Sequence, residues 1–279
     1  MSVVVVSDSS SRMQADELKQ WNIREVPLHV LVDGMDLRDG IDDIPYDVYD
    51  RPKVTTAGAT PAELVETYRQ ALADSGGGGV VAVHLSAALS STYSAAVTAA
   101  REFGPAVRVV NSRSAAMGVG FVATAAARCA ASGGGLDAVE AAARSALNRT
   151  HVFLVVHRLD NLRRSGRIRA TASWLGTALS LKPLLCLDVD GRLVLDQRIR
   201  TVTKAHAALV DRVADVVGSN TADVVVHHVD NHDAADALGA ALTQRLPQIS
   251  SLTVTDMGPV LSVHVGAGAV GVAVVVASS

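Results

Sequence analysis

The C-terminal stretch GPVLSVHVGAGAVGVAVVVASS contains one titratable side chain, His264, among glycines, alanines and valines. Nothing near it in sequence pairs with an imidazole. Its partner is therefore either a backbone carbonyl in an apolar core or a ligand. Near the other end, Asp8 precedes Ser9, Ser10 and Ser11 directly after an apolar run. Such a group suits an anion nest or a helix cap, and capping is the commoner use of Asp before serines. His227 and His228 are adjacent on an expected strand, so they face opposite ways and do not form a metal site together. The segment RLDNLRRSGRIR gathers Arg158, Arg163, Arg164, Arg167 and Arg169, either as a solvated helix face or as a surface for an anionic partner.

Other chemistries find less support. Gly118 to Ala123 reads GxGxxA, but that fingerprint needs its first glycine in the turn directly after a strand. Here NSRSAAM intervenes, which puts the glycines inside a helix and makes them packing residues against a sheet. GxSxG and HExxH are absent, and no acid is obviously placed to orient a catalytic histidine. No metal or cofactor is expected.

Composition narrows the class. With 49% hydrophobic but only 3% aromatic residues, a large interior must be packed from Val, Leu and Ala. A net charge of -3 argues against a nucleic-acid-binding protein, which usually carries a basic surplus and stacking aromatics. Cys129 and Cys186 lie far apart without metal-ligand spacing, as reduced thiols of a cytoplasmic protein do. The apolar run Gly258 to Ala277 is interrupted by Pro259, His264 and glycines, so it reads as strand, turn, strand rather than a membrane span. The chain is expected to be soluble.

The elements that must position these residues follow a βαβ rhythm, Val-rich runs alternating with Ala-rich helical stretches. The 279 residues suit two α/β domains, 1–149 and 150–279, the first with a largely parallel sheet and the second with a mixed sheet and helices. VVVV at Val3 to Val6 reads as a buried first strand. Thr60-Pro61-Ala62-Glu63 combines a capping box with proline at the first helical position, so a helix starts at Pro61 and ends before Gly76. VVAVHLS and AVRVV read as further strands, flanking a helix from about Ser91. A long helix from about Ser114 and another over LDAVEAAARSALNR close the first half. In the second half, HVFLVVH opens as a strand. LLCLDVDGRLVLDQR forms a hairpin around Asp190-Gly191, and DVVVHHV and SLTVTD are strands between helices.

Several segments, in order, resemble the DegV family of bacterial fatty-acid-binding proteins. VVVVSDSSSRM is similar to the family's opening strand and Asp-Ser turn, and TTAGATPAEL to its Thr-Ser-Gln-Pro-Ser-Pro segment. LSAALSSTYSAA resembles Ser-x-x-Leu-Ser-Gly-Thr-Tyr, and NSRSAAMGVGF resembles Asp-Ser-Arg-x-x-x-Met-Gly-x-Gly. LDNLRRSGRIRATASWLGTALSLKPLL with RIRTVTKA is the most extensive match, and GPVLSVHVGAGAVGVA closes the series. Ala57-Gly58-Ala59 stands where the family has Ser-Gln-Pro. Ser91 replaces a glycine, Asn111 an aspartate and Ala267 a proline.

The resemblance implies two α/β domains with a long-chain fatty acid between them, its carboxyl bound by the hydroxyls of Thr56 and Ser90. It places His264, Arg167 and Arg200 around the mouth of that pocket. It further implies a fatty acid kinase partner that holds the ATP and phosphorylates the presented acyl chain, so that this protein is a lipid carrier rather than an enzyme. Transient membrane contact for lipid exchange is compatible with that role. Hydroxyls and an imidazole suit such a carboxylate, because they donate hydrogen bonds without a full opposing charge. Gly266 and Gly268, read as letting backbone approach a ligand, join His264 to the carboxyl-binding pair. Arg167 and Arg200 are expected to dock the partner; the competing reading pairs them with Asp160 or Asp196. Two other functions stay open: an acyl hydrolase or transferase using Ser90 and His264, and a nucleotide-binding protein using the GxGxxA stretch.

Overall fold

The computed structural model describes residues 2–51, 53–168 and 181–277. Arg169 and the middle of the most extensive matching segment lie outside the described residues. In chain order the elements begin with β1 (Val4–Asp8), α1 (Ala15–Gln20), β2 (Ile23–Val26), β3 (His29–Val32), β4 (Met35–Arg38) and β5 (Thr55–Ala57). They continue with α2 (Pro61–Ser75), β6 (Val80–His84), α3 (Thr92–Ala100), β7 (Val107–Asn111), α4 (Met117–Ala131) and α5 (Leu136–Leu147). The second half contains β8 (Thr150–Val155), α6 (Asp160–Arg164), β9 (Leu184–Leu187), β10 (Leu193–Gln197) and α7 (Val202–Val217). It ends with β11 (Ala222–His228), α8 (His232–Arg245), β12 (Ile249–Asp256), α9 (Gly258–Val265) and β13 (Val270–Val276).

The first half is built on a parallel sheet in the order β2-β1-β6-β7. Every residue of β1 and β6 is buried, which is why Val4–Val6 and Val80–Val83 read as apolar runs rather than alternating ones, while the buried polar Ser7, Asp8 and His84 end the two strands. The turn after β1 is a short 3-10 helix, Ser9–Ser11, capped by Asp8, which accepts the Ser10 N–H at 3.2 Å. The capping reading of Asp8 therefore holds. The same carboxylate also accepts from Leu85 N–H (2.9 Å) and the His84 ring (3.0 Å), whose other nitrogen lies 2.8 Å from the Tyr68 hydroxyl. At the start of α2, Thr60 and Glu63 form the expected capping box, and Gly76 ends the helix at φ +57°. A small antiparallel sheet, β4-β3-β5, projects between β2 and α2; its short strands carried no distinct signal in the sequence.

The second half holds a six-stranded mixed sheet in the order β10-β9-β8-β13-β11-β12, in which β11 and β12 are parallel and the other pairs antiparallel. Both the parallel N-terminal sheet and the mixed C-terminal one accord with the expected fold class. The β9–β10 hairpin turns at Gly191 (φ +76°), and Asp188 accepts the N–H groups of Asp190 and Arg192. Helices α7 and α8 cover one face of the sheet, while α4 from the first half lies on the other. Gly118 of the GxGxxA stretch makes that contact, while Gly120 packs on Met13 within the first half. A Cβ on Gly118 would lie 2.7 Å from Val152 Cγ2 in β8, and one on Gly120 would lie 2.9 Å from Met13 Cγ. Consistent with this, one continuous apolar cluster joins Val4, Val81 and Val122 to Val225, Val260 and Ala273 of the second half.

One expectation fails. Gly258 to Ala277 is helix, turn, strand rather than strand, turn, strand, so His264 sits in the last turn of α9. Val260, Ser262, Val263 and Val265 are all buried, and a helix covered on most sides shows no polar face to betray its period. The β-branched valines suggest strand, but tertiary packing overrides that weak preference. Pro259 in the first turn, where its missing N–H costs nothing, was the local signal for a helix start.

Candidate ligand-binding cavity

Between the two halves lies a cavity of about 350 Å³, within the range of small-molecule sites. Its walls are mostly apolar, among them Leu28, Leu85, Leu89, Leu154, Met257 and Val260. Its polar side chains come from segments far apart in sequence, and His227 of β11 joins the four that follow. Thr56 comes from β5, Ser90 from the loop after β6, Arg167 from the turn after α6, and His264 from α9.

Thr56 Oγ1 lies 2.8 Å from Nε2 of His264. Burial, with the nearby Arg167 charge as a second cause, lowers the His264 pKa to about 3, so the ring is neutral at physiological pH. Its Nδ1 is buried without a hydrogen-bond partner among the described residues, so no carboxylate orients the ring there. The Ser90 hydroxyl pairs with Thr92 Oγ1 (2.9 Å) and accepts the Thr92 N–H (3.2 Å), rather than bonding His264. A Ser–His nucleophile pair is therefore not assembled. Ala57 and Gly58 also line the cavity, and a Cβ on Gly58 would come within 2.6 Å of Thr92 Oγ1. The glycine that departs from the family pattern thus lets β5 and the Ser90 loop meet.

Arg167 is half-buried on the wall. Its Nε donates to Leu89 O at 3.1 Å and its Nη1 to Ser165 O at 2.5 Å, and burial pushes its pKa down. It pairs with neither expected acid: Asp160 pairs with Arg158, and Asp196 with Arg212. Arg200 is exposed, in the short link between β10 and α7, and is not among the cavity-lining residues. The structure therefore brings Thr56, Ser90, His264 and Arg167 around one space and leaves Arg200 outside it.

His227 was missed by sequence reasoning as a cavity residue. It lines the wall, accepts the Met117 N–H at 3.2 Å, and has its pKa lowered to about 4, chiefly by burial. His228 points the other way, toward the His232 ring. Strand alternation required one histidine of the pair to face inward, but only the packing shows which. Among the described residues, no group of three His, Cys, Asp or Glu side chains is arranged to hold a metal. None of their helices is long and apolar enough to cross a membrane.

The model of the family described as "Uncharacterised protein, DegV family" matches residues 2–277. The chain belongs to the DegV family. It is 60% identical over 279 residues to a DegV domain-containing protein of Mycobacterium tuberculosis, covering 100% of this chain and 99% of the relative. It is 40% identical to a DegV domain-containing protein of Streptomyces coelicolor, with 98% of each chain covered. Among solved DegV structures, a fatty-acid-binding protein from Thermus thermophilus superposes with a TM-score of 0.93 at 28% identity, covering 99% of this chain and 100% of that one. The DegV family protein of Corynebacterium glutamicum superposes with a TM-score of 0.89 at 33% identity, covering 100% and 99%.

Proposed function

We propose that this DegV protein binds one long-chain fatty acid between an N-terminal domain (residues 1–149) and a C-terminal domain (150–279). On this reading it presents the carboxyl group to a fatty acid kinase, which forms the acyl phosphate. The observation that carries the reading is the largely apolar cavity between the halves, whose wall holds Thr56 against His264 together with Ser90 and Arg167. The Thermus thermophilus relative, a fatty-acid-binding protein of the same fold, supports it.

The energetics divide the work. Burying ~14 methylenes gains on the order of 11 kcal/mol, at about 0.8 kcal/mol each. A hydrogen bond to a charged group adds roughly 1.5–3 kcal/mol. Chain burial therefore sets affinity, while the hydroxyls set register. With His264 neutral, the less costly tautomer has Nε2–H donating to the Thr56 oxygen, because it leaves a bare acceptor rather than an N–H stranded at buried Nδ1. Thr56 O–H is then free to donate to a carboxylate. Arg167 supplies the positive charge near the site, and two backbone carbonyls take part of its donor capacity.

The kinase step calls for a docking surface outside the cavity. Arg163 and Arg164 on α6 and Arg200 beyond β10 are exposed and fit an acidic partner, with effects expected mainly on association rate. The test is native mass spectrometry and solvent extraction of gently purified protein, followed by acyl-phosphate assays with candidate kinases. About one long-chain acid per chain is expected. Protein that is empty and ignores added oleate and palmitate would overturn the lipid reading. Lipid-loaded protein that no fatty acid kinase accepts would overturn the carrier role alone.

A further inference from the structure

Helix α9 has only two turns, and its last carbonyls have no partners within the helix. One is met conventionally, since Gly266 N–H donates to Ser262 O at 2.8 Å. The next is met from outside: the side-chain amide of Asn161, on α6, donates to Val263 O at 3.2 Å. The same nitrogen lies 3.4 Å from Tyr49 O, in the segment that connects β4 to β5. Gly266, at φ +77°, sits directly on this amide, and a Cβ there would be 3.1 Å from Asn161 Nδ2. Three separate segments thus meet at one side chain. The bonded carbonyl belongs to the peptide unit whose nitrogen is that of His264.

We propose that Asn161 is a positioning residue for the head-group site: its amide holds the Val263–His264 peptide so that the imidazole is aimed at Thr56. This rests on the head-group reading of Thr56 and His264 given above. The physical reason is that a helix of two turns frays easily at its end, and His264 lies in the last turn. A donor fixed on a neighbouring helix replaces the intrahelical bonds that the end lacks. The tight approach of Gly266 then leaves the amide little room to turn away.

The test uses the full-length protein with labelled histidines, and the variants Asn161→Asp and Asn161→Ala. Asn161→Asp keeps the shape but replaces the donor with a carboxylate facing two carbonyl oxygens. At about pH 8 it is expected to weaken oleate binding roughly three- to tenfold and to change the His264 ring signals of the ligand-free protein. As the pH falls toward ~5, protonation of the new carboxyl restores one donor, so its deficit relative to the parent at equal pH should shrink. The deficit of Asn161→Ala should stay constant over the same range.

Folded variants with parent-like His264 signals overturn the proposal. So does a loss of affinity that is equally pH-independent in both. Should Asn161→Asp not fold, the His264 signals of Asn161→Ala decide. If the parent protein itself fails to bind oleate, the lipid reading falls, while the ligand-free ring signals still report whether Asn161 aims His264.

Discussion

The Thr56 hydroxyl stands 2.8 Å from His264 Nε2, although 208 residues separate them in sequence. Thr56 lies on β5 of the small antiparallel sheet, and His264 ends a helix of the other half. The pair closes only when both halves are folded against each other. Replacing Thr56 with valine keeps the shape but removes the hydroxyl. Thr56→Val should weaken fatty-acid binding by about 1.5–3 kcal/mol, as expected for one hydrogen bond to a carboxylate. Calorimetric titration with oleate checks this, and a parent-like affinity would remove Thr56 from the head-group site.

The two arginines should behave differently. Arg167 lines the cavity and bridges to Leu89 O beside Ser90, so Arg167→Ala should lower both lipid affinity and melting temperature, at a stability cost of about 1 kcal/mol. Arg200 is exposed, so Arg200→Ala should leave stability within about 0.5 kcal/mol of the parent and leave lipid affinity unchanged. Its effect should appear only as slower acyl-phosphate formation with a kinase, and the deficit relative to the parent should shrink as salt screens the charge. Loss of lipid binding in Arg200→Ala would contradict this division.

Gly118 packs α4 onto β8, and a methyl there would press on Ser114 Oγ and Val152 Cγ2. Gly118→Ala is therefore expected to destabilise the protein by about 1–3 kcal/mol in chemical denaturation, despite the better helix propensity of alanine. ADP and NAD should not raise the melting temperature of the parent protein, because both glycines lie inside α4 and are closed off by packing, Gly118 on β8 and Gly120 on Met13. Protection by either nucleotide would restore a cofactor reading of this stretch.

Glu25, in β2, should make stability depend on pH. Burial raises its pKa from 4.5 to about 7; the Ser11 hydroxyl at 2.5 Å opposes the shift, Asp8 and Asp39 add to it, and Arg12 reduces it. Because the folded value lies above the unfolded one, the native state binds the extra proton. This contribution is present below pH 4.5 and is lost as pH rises through about 7. Glu25→Gln keeps an acceptor for Ser11 without the charge. It should raise stability by on the order of 2 kcal/mol at about pH 8, and much less at about pH 5. Equal gains at both values would show that Glu25 titrates normally.

His264 and His227 act in the opposite direction. Their folded pKa values, about 3 and about 4, lie below the ordinary 6.5, so the unfolded chain takes up protons first on acidification. Their contribution is complete above pH 6.5 and is lost as pH falls toward those values. Thermal melts should show less acid sensitivity in His264→Gln than in the parent. Nuclear magnetic resonance should find both rings neutral at about pH 6. A protonated His264 ring at that pH would contradict the neutral head-group site.

Much of this architecture was legible in local sequence. The capping box at Thr60 and Glu63, the Asp190-Gly191 hairpin and the apolar runs that open β1 and β6 follow from bonds and periodicities only a few residues long. The family motifs pointed to Thr56, Ser90 and His264, and the tertiary structure gathers all three around one cavity. Short strands β3 to β5 carried too little pattern to read, and α9 hid its period because it is buried on most sides.

What the chain alone determined, then, was the order and type of most elements, because caps, turns and strand alternation are written within a few neighbouring residues. What only the tertiary structure decided was the cavity and the meaning of the groups around it. His227 faces the cavity and accepts the Met117 N–H, Arg167 turns to Leu89 O rather than to an acid, and Asn161 reaches α9 from another helix. A cavity is the space left between elements far apart in sequence. Its shape depends on how their side chains interdigitate, and no local pattern encodes that.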